Sequence, residues 1–114
     1  MGNIIRYVEY NEKNTLKSFL KSMIQSQLFK ILPMKEEENK YLCDYLDSLF
    51  FELLGGLYVF EELGKHVEYI RILNTVSFLR EETFDAKQCK REVFKMISLA
   101  KKIYLDITGE KYER

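Results

Sequence analysis

The sequence predicts a mainly α protein, a small bundle of three long helices with one or two shorter elements, folded as a single domain over residues 1–114. Three observations carry that expectation. Apolar residues recur at helical spacing in three separate stretches. Capping residues bracket the last of them. The chain has one proline and no Ser-, Gly- or Pro-rich linker to divide it. With 46% hydrophobic and 32% charged residues it has a globular composition, and a domain of this length buries roughly two-thirds of its unfolded surface, enough to fold unaided.

The first element is "NTLKSFLKSMIQSQLFKIL", in which Leu16, Phe19, Leu20, Met23, Ile24, Leu28 and Ile31 fall on one helical face. Asn14 or Thr15 can cap its start, and Pro33 is expected to end it. A second helix is expected to open at "KEEEN", where Glu36, Glu37 and Glu38 suit the positive end of a helix dipole. Leu42, Cys43, Leu46, Leu49, Phe50, Leu53 and Leu54 form its apolar face.

The same stretch contains Gly55-Gly56, which admits several readings. The apolar run is shorter than the about 20 residues that span a bilayer, so no membrane element is expected. The spacing required of a phosphate-binding loop is missing, because Gly64-Lys65 is followed by His66. Extending the wheel at about 100° per residue puts Leu57, Phe60 and Leu63 in phase with Leu46 and Leu53. One helix from about residue 36 to 63, stopped by Gly64, is therefore preferred to a helix–turn–helix break. Gly56 lies inside the apolar stripe, where it would let another helix cross closely.

"HVEYIRILNTVSFL" is rich in β-branched and aromatic residues. It reads as a buried helix, with a short hairpin around residues 67–79, and hence an α+β fold, as the alternative. "NIIRYVEY", residues 3–10, carries the same ambiguity. The final helix, "TFDAKQCKREVFKMISLAKKIYLDITG", is the clearest. Asp85 and Gln88 stand in capping-box positions, Gly109 stands where a C-terminal cap belongs, and Cys89, Val93, Met96, Ile97, Ala100, Ile103, Tyr104 and Ile107 form its buried stripe.

Little in the sequence points to catalysis. His66 is the single histidine, so a multi-histidine metal site or histidine relay within one chain is excluded. "HVE" (residues 66–68) lacks the P-C-x-x-C element that completes a deaminase zinc site. Cys43 and Cys89 read as reduced thiols on apolar helix faces, better explained as core residues than as ligands in a mixed site with His66. The acidic pairs at residues 36–38, 61–62 and 81–82 read as solvated helix ends. We expect no catalytic residues, no metal and no cofactor, and a non-enzyme. The N-terminal segment lacks the order of a signal peptide, which with the thiols suggests the cytoplasm.

Two helix faces are candidates for binding. In the last helix Lys87, Lys90, Arg91, Lys95, Lys101 and Lys102 share an arc opposite the buried stripe, and Phe94 projects among them with Leu105 nearby. In the second helix Asp44, Asp47 and Glu52, with Glu37, share a polar side from which Phe51 projects. The basic face can be a solubilising surface, a dock for an acidic protein surface with Phe94 as anchor, or a nucleic-acid contact. The chain carries 18 basic and 18 acidic residues, so bulk charge does not favour nucleic acid. The acidic and basic faces could also meet each other, within the fold or across a dimer.

Aromatic residues make up 14% of the chain, more than a small core readily hides, so a homodimer is expected. The expected function is that of a non-catalytic interaction protein, a small regulator, inhibitor or immunity-type factor acting through protein–protein contacts. Nucleic-acid binding through the last helix is the alternative.

Overall fold

The computed structural model describes residues 2–81 and 83–113, with side chains from residue 12 onward. The elements in order are α1 (Gly2–Ser22), a π-helical turn (Met23–Gln27), α2 (Ile31–Glu36), α3 (Leu42–Val59), a 3-10 turn (Glu61–Lys65), α4 (Val67–Glu81) and α5 (Ala86–Thr108). All regular structure among the described residues is helical. Residues 67–79 lie in α4 rather than in a hairpin, and residues 3–10 belong to α1.

Cross-helix contacts fix the arrangement as an up-down-up-down bundle. Asp47 meets Arg80 while Leu53 meets Tyr69, so α3 and α4 run antiparallel. Glu68 meets Lys102, which reverses α5 against α4. Lys17 pairs with Glu110 beyond the C-terminal end of α5, and Phe29 packs on Phe94 further back, so the α1–α2 limb runs against α5. The core is built from Leu20, Met23, Ile24, Leu28, Leu46, Leu53, Ile72, Val76, Val93, Met96 and Ile103, each almost wholly buried. The predicted stripe of α5 is buried from Cys89 to Tyr104, with Ile107 half-buried.

Several boundaries differ from expectation, each for a local reason. Asn14 and Thr15 lie inside α1 and not at its start. The limb from α1 to α2 is broken before the proline rather than by it. A π turn, in which the Leu28 N–H reaches the Met23 carbonyl at 3.1 Å, shifts the register. Pro33 then sits in the first turn of α2, where a missing N–H has no helical partner to lose.

"KEEEN" closes α2 instead of opening α3. Glu38 adopts φ 52°, the Asn39 N–H bonds the Met34 carbonyl at 2.9 Å and the Glu38 N–H bonds the Lys35 carbonyl at 3.1 Å. That is a Schellman closure with glutamate in the left-handed position that glycine usually takes. Glu36 to Glu38 therefore sit at the negative end of a helix. Glu82 of the last acidic pair lies outside the described residues.

Helix α3 does run unbroken through Gly55-Gly56, but it ends at Val59, and Gly64 lies within the 3-10 turn. Gly56 is the close crossing the pattern implied. A Cβ there would stand 2.7 Å from the Tyr69 hydroxyl oxygen and 3.0 Å from Phe19 Cζ. Tyr69 is fully buried, and its hydroxyl donates to the Leu53 carbonyl one turn away. At Gly55 the same position has no heavy atom within 4 Å among the described residues beyond its own stretch of helix. At the other end of the bundle Asp85 caps α5 by accepting the Gln88 N–H at 2.7 Å, and Gly109 closes it at φ 73°.

Candidate docking groove

Helix α5 is amphipathic because its apolar residues keep one phase through six turns, which forces its cations outward. Lys87, Lys90, Arg91, Lys95, Lys101 and Lys102 are all exposed. They do not act as one sheet of free charge. Lys102 reaches Glu68 of α4 at 3.0 Å, and Glu92 lies 3.9 Å from Arg91 and 3.7 Å from Lys95. Hydrogen bonding to Glu68 holds the Lys102 ammonium above its ordinary range. The Glu68 carboxylate is held below its own by a bond from its backbone N–H and by Lys102. Lys101 lies over the Tyr112 ring, 5.8 Å from its centre.

Phe94 is 42% exposed, and its ring is held edge-on by Phe29 at a centroid distance of 5.9 Å. It therefore presents a braced aromatic surface rather than a freely rotating one. Beside it an open groove of about 850 Å³ runs between α4 and α5. Arg71, Arg91 and Lys95 line it together with Phe94 and Leu99, and Glu92 is its one carboxylate. Three cations against one carboxylate, beside Phe94 and Leu99, suit an acidic ligand with an apolar anchor.

The sequence reading placed Arg91, Phe94 and Lys95 but missed the wall supplied by α4. Arg71, Asn74 and Thr75 line the groove from that side. Their spacing of three and four would have shown a polar line had residues 67–79 been read only as a helix. Lys87, Lys90, Lys101 and Lys102 do not line the groove and flank it along α5.

The acidic face of α3 is also exposed, but it has a cation the sequence reading did not assign to it. Arg80 of α4 pairs with Asp47 at 2.7 Å and lies 4.3 Å from the Phe50 ring centre and 5.3 Å from that of Phe51. Phe51 is 62% exposed and packs edge-on against Phe50. Glu52 accepts from the Gln27 amide at 2.8 Å, and Asp44 has no ion partner among the described residues. No ion pair among the described residues joins this face to the basic face of α5.

The remaining candidates are structural. Cys89 is buried, and burial pushes its thiol up. Cys43 is exposed, contrary to the expectation that both cysteines join the core. His66 flanks the start of α4 as expected, and lies 3.4 Å from Glu62. Among the described residues no three His, Cys, Asp or Glu side chains gather as a metal site, and no helix is long and apolar enough to cross a membrane. Comparison of the chain with protein-family models, with curated proteins and with solved structures finds no match.

Proposed function

We propose that the protein is a non-catalytic interaction module, a small regulator, inhibitor or immunity-type factor, that holds an acidic, aromatic-bearing helix of a protein partner in the α4–α5 groove. The observation that carries this reading is Phe94. It is an aromatic ring braced from behind by Phe29, open in front, and set in a groove with three cations and one carboxylate. Exposed aromatic anchors among cations are the usual energetic centres of protein interfaces. A helix lying between two helices is a recurrent mode of peptide recognition.

The test is affinity capture from nuclease-treated host extract, followed by reconstitution with the purified captured protein. The wild type should bind it, and both Phe94→Ser and the pair Arg91→Glu with Lys95→Glu should lose binding. Reconstituted binding that survives all these changes would overturn the reading. So would retention of a single-stranded oligonucleotide in place of any protein, weakening steeply with salt, which would give the face to nucleic acid instead.

A further inference from the structure

We infer that the groove's occupant is α3 of a second copy of this chain, so that the protein self-associates by docking its own acidic helix face. This rests on the groove proposed above and names what fills it. The first argument is charge. The outward side of α3 carries Asp44, Asp47 and Glu52, with Arg80 on Asp47 and Lys30 over the Tyr45 ring, while the groove carries Arg71, Arg91 and Lys95 with the carboxylate of Glu92. On a chain with no net charge, two segregated surfaces of opposite sign complement each other.

The second argument is shape. Asp44, Ser48, Phe51, Gly55 and Tyr58 fall along one line of α3. Phe51 and Tyr58 are 62% and 85% exposed, and Gly55 between them faces open space. An interior glycine weakens a helix. Gly56 is explained by the Tyr69 crossing, but nothing among the described residues of a single chain explains Gly55. A neighbouring backbone approaching between two aromatic knobs would.

The lengths also agree. Asp44 and Glu52 stand eight positions apart, about 12 Å along a helix, and the groove spans the same eight positions from Arg91 to Leu99. With α3 of the second copy antiparallel to α5, Phe51 would lie about 3 Å along the axis from Phe94, towards the Arg91 end of the span. The contact is heterologous, with a different surface from each copy, so it grows into a chain or closes into a ring or reciprocal pair.

Charge exchange tests this directly. Light scattering over a dilution series should show the wild type gaining mass with concentration, and losing it with added salt. Asp44→Lys with Glu52→Lys should weaken self-association by about tenfold or more, and so should Arg91→Glu with Lys95→Glu. Mixing the two variants should restore association, because each then supplies the surface the other needs. Phe51→Ser and Gly55→Ala leave the charges in place and should also weaken it, with helical content kept. A wild type that stays monomeric at high concentration overturns the inference, as does association that survives both charge variants or a mixture that fails to recover. Monomeric behaviour alongside partner binding that depends on Phe94 would overturn self-docking and leave the proposed function standing.

Discussion

Adjacent glycines in α3 should respond to alanine with opposite signs. Alanine exceeds glycine in helix propensity by about 0.8–1 kcal/mol, and at Gly55 no contact opposes that gain, since among the described residues a Cβ there meets no atom beyond its own stretch of helix within 4 Å. Gly55→Ala should stabilise the monomer by about that amount. At Gly56 the same gain is offset. The new methyl would lie 2.7 Å from the Tyr69 hydroxyl, which is fully buried and bonded to the Leu53 carbonyl, and 3.0 Å from Phe19 Cζ. Overpacking of this kind costs about 1–3 kcal/mol, and displacing the hydroxyl from its acceptor costs about 1–3 kcal/mol more. Gly56→Ala should therefore lose about 1–5 kcal/mol net. Urea unfolding followed by helical circular dichroism, at protein concentrations low enough to keep the chain monomeric, measures both. A double-mutant cycle with Tyr69→Phe locates the cause, because removing the hydroxyl should relieve part of the Gly56→Ala penalty and leave the Gly55→Ala gain unchanged. Equal effects at the two positions, or no coupling between Gly56 and Tyr69, would refute the crossing as the reason for the glycine.

A buried phenol, a half-buried one and two unlike thiols give further tests. Burial, reinforced by the Glu52 carboxylate, pushes Tyr45 up to about 12 and raises Tyr69 for the same reasons. An unfolded tyrosine ionises near pH 10, so this contribution to stability is fully present below about pH 10 and is lost as pH rises towards 12. Stability should fall across that window, less steeply in Tyr69→Phe, and a flat wild-type profile above pH 10 would contradict the burial. In native protein a thiol reagent should label exposed Cys43 quickly and buried Cys89 only after denaturation, with Cys43→Ser removing the fast phase. Equal labelling rates would be incompatible with the packing of α5.

What could be read from the chain follows from how local each cause is. The run of α3 through Gly55-Gly56 was legible because an apolar stripe keeps its phase only if the helix continues, and α5 was legible because Asp85 and Gly109 act on their own neighbours. The break between α1 and α2 was not, since Pro33 is equally compatible with ending a helix and with sitting in its first turn, and the π turn leaves no sequence signature. Glu38 hid the end of α2 because only its left-handed φ marks the closure, and glutamate does not announce one. The groove was half legible for a deeper reason. Helix α4 lies between α3 and α5 and buries Tyr69, Ile72, Leu73, Val76 and Leu79 as one regular stripe, but Val67, Ile70 and Phe78 are apolar and exposed on its other sides and blur the period that would identify it. The element that supplies the second wall of the groove is thus the one whose exposed apolar residues mask its own pattern. The basic face of α5 could be found from one helix alone, whereas the site formed with Arg71 exists only where two helices meet.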